Sequence, residues 1–414
     1  MSKHNYNLSQ IPGFTEFIEK GSISDEYEKY YNVKNYSTKA NEKYQIIRYN
    51  KDFLSYDLFS TFGLLRSVVL SQSKIVSFAP PKSITAETFM TRYPTKNDNI
   101  IAEEFVEGTM VNVFYDNNYS ANGGWQISTR NTVGANVSFY KGASKKTFNE
   151  MFNEACIRNN FMISTLNSNY CYSFVLQHPE NRIVTPFHSP QLYLIAVYEI
   201  VQKNNEIYVT EQDMKDVKNL GMWNYTGIKF PFKYEFSKYS ELIDKFGSAN
   251  TPYDTVGIII KNLETGERTK IRNPIYEEVK SLRGNQPKLQ YQYLCLRHSG
   301  RVAEFLNYYP ESKPDFSKYR DHVHMFTDTL FKNYIGCYVH KEKPLKEYSH
   351  QFRTHMYNIH QIFINNLKPQ NLFVTNTVVI KYVNQLHPSL LMYCLNYNMR
   401  KRSIDCIKND NENV

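Results

Sequence analysis

Between residues 96 and 272 the β-branched and aromatic residues come in short runs separated by Asn- and Gly-rich turns, a pattern that restricts this region to antiparallel sheet. Glu104 to Tyr115 and Trp125 to Thr129 flank the turn sequence DNNYSANGG and predict a hairpin. Leu192 to Ile200 and Glu206 to Thr210 predict a second, across Lys203, Asn204 and Asn205. Thr255 to Lys261 and Arg268 to Arg272 predict a third, across LETGE. Between them, Lys145 to Asn159 spaces Phe148, Met151, Phe152, Ala155 and Cys156 as one face of a helix. Beyond Pro274 the texture changes: Ile275 to Leu282 reads as a short helix ended at Gly284, and helical spacing continues to the end. The expected fold is α+β, an antiparallel-sheet domain over 96–284 followed by an all-helical domain over 285–414. Residues 1–95 are the least readable part, with a strand signal at Lys43 to Arg48 and a second apolar stretch at Val68 to Phe78 that breaks at Pro80 and Pro81, and are assigned as an N-terminal extension or part of the sheet domain.

The chain of 414 residues, 41% hydrophobic and 15% aromatic, is long enough for two cores and too apolar to be disordered. Its longest nearly unbroken apolar run, Leu192 to Val201, contains Glu199 and is half the length of about twenty that a membrane span needs. The opening MSKHNYNLSQ has no apolar stretch of the kind a secretory signal carries. A cytoplasmic protein without membrane contact is expected. Cys156, Cys171, Cys295, Cys337, Cys394 and Cys406 stand singly, which excludes a C-x-x-C zinc site and a disulfide framework. Lys plus Arg minus Asp plus Glu is 49 − 40 = +9, which favours an anionic partner, nucleic acid first.

Along the sheet region the sequences EFVEGTMVNVFYD (Glu104 to Asp116), QISTRNTVG (Gln126 to Gly134), YSFVLQHPENRIV (Tyr172 to Val184), TVGIIIK (Thr255 to Lys261) and TKIRNPIY (Thr269 to Tyr276) follow one another in a specific order. That order resembles the collinear motifs of covalent nucleotidyltransferases, and in particular ATP-dependent RNA ligases of the bacteriophage tRNA-repair type. The resemblance implies an antiparallel ATP-binding domain in which the lysine of a K-x-D-G sequence attacks the α-phosphate. Only an amine able to lose its proton forms the phosphoramidate that this chemistry needs. Aligned on Gly108, the K-x-D-G pattern falls on Phe105, Val106, Glu107 and Gly108, so Phe105 takes the nucleophile's place.

The departures continue. Where the resemblance implies a ribose-holding glutamate after the phenylalanine of the third motif, Phe174 is followed by Val175, and where it implies a carboxylate near the metal, Val256 precedes Gly257. Magnesium on nucleotide phosphates relies on carboxylate oxygens, which valine lacks. The basic residues persist: Arg130 in the motif resembling S-T-R-G, Lys261, and Lys270 and Arg272 at the places of the family's two phosphate-contacting lysines. The reading is therefore a pseudo-ligase that binds RNA in a groove of Phe105, Glu107, Gly108, Arg130, Phe174, Lys261, Lys270 and Arg272. No catalytic residue or metal ligand is assigned, and no cofactor is expected. Arg130, Lys261, Lys270 and Arg272 are expected to converge on this groove.

Two alternatives stand beside this reading. A free lysine such as Lys74, Lys82 or Lys96 acts as a displaced nucleophile in an active ligase, with ATP and Mg²⁺; or the helical domain binds a protein partner and the chain is a structural subunit. From Phe331 onward eleven basic residues face five acidic ones, an excess of +6, and Arg400, Lys401 and Arg402 form a run suited to phosphate contacts or to a helix terminus. Aromatics beside basic residues in Gln290 to Arg297 and Lys346 to Tyr357 suit base stacking or a core. His340, His350, His355 and His360 are five residues apart or more and do not stack on one helical face, which argues against metal ligation. Abundant Tyr, Asn, Lys, Ile and Phe fit A/T-rich coding, as in large DNA viruses.

Overall fold

Strand alternation and turn chemistry account for most of the first 280 residues in the computed structural model, which describes residues 4–37, 43–139, 146–203 and 206–399. In chain order the strands are β1 (Asn5–Asn7), β2 (Tyr31–Ser37), β3 (Lys43–Tyr49), β4 (Val68–Ser71), β5 (Lys74–Phe78), β6 (Ile100–Glu104), β7 (Thr109–Asp116), β8 (Gly124–Ser128), β9 (Tyr170–Gln177), β10 (Gln191–Lys203), β11 (Glu206–Glu211), β12 (Lys233–Tyr234), β13 (Gly257–Asn262) and β14 (Arg268–Arg272). They form three sheets, ordered β1-β11-β10-β9-β7-β8, β12-β6-β13-β14 and β2-β3-β4-β5, and every ladder within them is antiparallel.

The three hairpins read from the sequence are present as β7–β8, β10–β11 and β13–β14. The apolar stretch from Val68 to Phe78 is not one strand but the tight hairpin β4–β5, because Gln72 turns with φ 55°. The run Glu104 to Tyr115 also divides. Its first residue ends β6 in one sheet, Phe105 to Gly108 cross over, and β7 begins in another sheet. Gly108 allows the crossing: its φ is +145°, and a Cβ there would lie 2.5 Å from the Leu176 carbonyl oxygen.

One helix, Phe148–Arg158, is set by a capping box in which Thr147 and Glu150 satisfy each other's backbone amides. Its apolar face buries Phe152 and Ala155 against Phe174, Leu192 and Leu194 of β9 and β10. A second core holds Ile47, Val68, Phe78 and Tyr198, and a third holds Phe89, Phe246, Ile258 and Ile260.

The chain divides into two compact units, residues 1–280 and 281–414. All described strands lie in the first, so residues 1–95 supply one of its three sheets and an edge strand of another. In the second unit the longest helix, Lys313–Tyr334, buries Phe316, Val323, Phe326 and Leu330, and His350–Ile362 buries Phe352, Met356 and Ile359. The protein is thus α+β, with antiparallel sheets and a helical C-terminal region.

Candidate functional site: a cationic groove

Register alone puts several of the residues of interest side by side. In the β6–β13–β14 ladder Glu103 pairs with Ile259 and Ile259 with Lys270, while Gly257 pairs with Arg272 and Lys261 with Arg268. Paired residues share a face, so Arg268, Lys270 and Arg272 point to the same side of β14. That side forms a wall of a cavity of about 490 Å³, lined also by Phe105, Glu107, Gly108, Arg130 and Arg66.

Phe105 lies just past the end of β6, beside the side-chain-free Gly257, whose φ is +133°. Its ring takes the Lys270 amine at 4.5 Å from the centroid and the Arg272 guanidinium at 5.8 Å. Phe105, expected from the sequence at the place of a reactive lysine, is an aromatic platform beneath the Lys270 and Arg272 side chains.

Lys270 is enclosed by like charge. Burial first, and then Arg268, Arg66, Arg272 and Lys82, push its pKa down to about 6. Burial and Arg268 likewise lower Arg66 to about 10, and burial and Arg66 lower Lys82. Arg268 is held by the carbonyls of Pro80 and Pro81, at 2.7 to 3.1 Å, and Arg272 pairs with Glu277. Among the described residues neither Arg66 nor Lys270 has a carboxylate partner. Arg130 sits 5.9 Å over the Tyr49 ring, and its Nε is buried without a hydrogen-bond partner.

Glu107 holds the groove's shape. Its carboxylate accepts hydrogen bonds from the amides of Val184 (2.7 Å) and Thr185 (3.1 Å), which ties the PENRIV segment to the β6–β7 crossover. Burial still raises its pKa above the ordinary value, against those donors.

Two expected members lie elsewhere. Phe174 is fully buried in the core beneath the helix Phe148–Arg158; its neighbour Val175 lines the cavity instead, because successive side chains of β9 face opposite sides. Lys261 shares the β13 face but sits at the far end of the hairpin, where it pairs with Glu211 of β11 and lines a smaller cavity with His4 and Asp213. Only Arg130, Lys270 and Arg272 of the four expected cations meet. Arg66 and Arg268 escaped the sequence reading, although the alternation in RTKIR (Arg268 to Arg272) carried the signal for Arg268. Lys74, Lys82 and Lys96 do not line the cavity. Arg400, Lys401 and Arg402 lie outside the described residues.

The donors do not suit a magnesium ion. Val175 and Val256 present methyl groups to the cavity, and of its three carboxylates Glu107 is committed to Val184 and Thr185, Glu104 accepts from the Phe232 amide at 3.2 Å, and burial raises the pKa of Glu103 and so disfavours its charged form. Among the described residues no three His, Cys, Asp or Glu side chains are grouped to hold a metal. No described helix is long and apolar enough to cross a membrane.

No family model matches the chain. An RNA ligase of Rhodothermus phage RM378 is 23% identical over 344 residues, 74% of each chain. The immediate-early protein ICP-46 homologue of invertebrate iridescent virus 6 is 24% identical over 352 residues, 74% of this chain and 73% of that one. Among solved structures, an archaeal ATP-dependent RNA ligase aligns with a TM-score of 0.41 and 11% identity over 74% of this chain and 78% of its own. A Naegleria gruberi RNA ligase aligns with 0.35 and 13% over 49% of this chain and 58% of its own. Over about three quarters of its length the chain is thus RNA ligase-like in sequence.

Proposed function

We propose that the chain binds RNA in the groove, as a ligase-like protein in which position 105 forms no covalent nucleotide intermediate. The observation that carries this reading is the wall of Arg268, Lys270 and Arg272 facing a cavity with Phe105 where the reactive lysine would stand. Phosphates supply most nucleic-acid affinity without a nucleophile, so such a wall remains useful when covalent chemistry at that position is gone. The name of the phage relative supports RNA as the polyanion.

The test is RNA affinity measured over a range of salt. Wild type binds single-stranded RNA with an affinity that falls as salt rises, because each contacted phosphate releases counterions. Below about pH 6, where Lys270 carries its proton, replacing Lys270 and Arg272 by alanine weakens binding to all sequences and flattens the salt slope by roughly 1.4, at about 0.7 per single-strand phosphate contact. Affinity unmoved by salt and by the double replacement contradicts the reading and favours a protein partner.

One observation favours a second reading, an active ligase with a displaced lysine: the Lys270 amine, with its pKa near 6, lies over Phe105 itself. Incubation with labelled ATP and Mg²⁺, followed by mapping of any labelled lysine, decides between the two. A stable adduct on Lys270 establishes the ligase; its absence leaves the non-covalent groove.

A further inference from the structure

The cationic surface continues past Arg130 onto the β2–β3 ribbon. From residue 29 to 51 the sequence carries six basic residues (Lys29, Lys34, Lys39, Lys43, Arg48 and Lys51) and one acidic residue, Glu42. In the ladder Asn32 pairs with Arg48 and Lys34 with Ile46, so Lys34 and Arg48 emerge on one face. Both reach the turn that carries Arg130. The Lys34 amine donates to the Asn131 carbonyl at 3.1 Å, and the Arg48 guanidinium donates to the Asn131 side chain and, at 2.6 Å, to Asn32 Oδ1. Ser67, next to Arg66, donates to the Arg130 carbonyl at 3.5 Å. Lys34, Arg48, Arg130 and Arg66 thus form a connected series leading to Lys270, and among the described residues none of the five pairs with a carboxylate.

Holding the Asn131 turn needs one donor, and neutral side chains would serve. Placing uncompensated cations there opposes folding, since burial and the charge of Arg130 already lower the Arg48 pKa. A mononucleotide in the 490 Å³ cavity would leave Lys34 and Arg48 without a role. A strand with a charge at every nucleotide uses the whole series.

We propose that the β2–β3 ribbon extends the groove, and that its occupant is a single RNA strand several nucleotides long, crossing Lys34 and Arg48 and passing Arg130 into the cavity. This rests on the reading of the groove as an RNA site.

The experiment compares fluorescently labelled oligoribonucleotides of two and of twelve nucleotides on the full chain, with Lys34→Gln alone, Lys34→Gln with Arg48→Gln, and Lys270→Ala. Glutamine retains hydrogen bonding to the Asn131 turn, and exposed Lys34 is replaced alone so that one variant keeps the Arg48 contacts intact. The expected result is that the double variant loses about five- to tenfold in affinity for the longer strand, with a shallower salt slope, and nothing for the dinucleotide. Lys270→Ala weakens both. If the ribbon variants leave the longer strand unaffected, or weaken both lengths equally, the extension is wrong while the groove stands. If wild type binds neither length in a salt-dependent manner, the RNA reading itself falls.

Discussion

Burial among Arg268, Arg66, Arg272 and Lys82 leaves Lys270 with a pKa of about 6, against about 10.4 for a lysine in an unfolded chain. Between those values the unfolded chain binds a proton that the folded one does not, so this group's contribution to stability rises with pH across the window. It is least favourable below pH 6 and the penalty is gone above about 10.4. Lys270→Met is therefore expected to stabilise the empty protein, by about 1 to 3 kcal/mol at pH 7, with a gain that shrinks toward pH 10. Urea unfolding at pH 6, 8 and 10 checks this; a gain that is constant or grows with pH contradicts it. The same residue shows what the sequence made legible. Lys270 and Arg272 are two apart in a strand, and alternation alone gives them one face. The depressed basicity of Lys270 was not readable, because it arises first from burial and then from the charges of Arg268, Arg66, Arg272 and Lys82, of which Arg66 and Lys82 are distant in sequence and come near only through the β2–β5 sheet.

The hairpin β13–β14 is the element that presents the cationic wall, and its two ends do different work. At Gly257 the backbone is held at φ +133°, and a Cβ would come within 2.1 Å of the Ile271 carbonyl oxygen. Gly257→Ala is expected to cost on the order of 3 kcal/mol through strain and to tilt Phe105 away from Lys270, so RNA affinity falls together with thermal stability. At the far end Lys261 pairs with Glu211, a nearly buried carboxylate that also accepts from the Tyr6 hydroxyl at 3.0 Å. Lys261→Met leaves that carboxylate with one partner fewer, a loss of about 3 kcal/mol in stability, with an unchanged salt slope for RNA. A flattened slope in this variant would return Lys261 to the groove. Periodicity placed this hairpin and the helix Phe148–Arg158 within a few residues, since both have unambiguous periods and marked turns or caps. It failed at Glu104 to Tyr115, where an unbroken strand pattern hides a change of sheet. It failed again at Phe174, where the motif gave the neighbourhood and the alternation of β9 put the aromatic ring on the core side.

At the scale of the molecule, charge and sheet are separated along the chain. Every described strand belongs to residues 1–280, whereas residues 331–414 carry +6 of the net +9. An excess of like charge outside a specific site speeds encounter with a polyanion and acts over roughly a Debye length, about 8 Å at physiological salt, whereas contacts within the groove set the residence of the bound strand. A fragment of residues 1–283, which keeps the whole helix Pro274–Arg283, contains all three sheet cores and every groove residue named above. It is expected to unfold in one cooperative transition and to retain the dependence of RNA affinity on Lys270 and Arg272. Its association rate should be slower than that of the full chain at low salt and should approach it as salt rises, with little change in the dissociation rate. Stopped-flow measurement of both rates on the fragment and the full chain separates the contributions. A fragment that folds but releases RNA much faster would show that the helical unit holds the strand directly, and would shift the site of recognition toward the basic run at Arg400, Lys401 and Arg402.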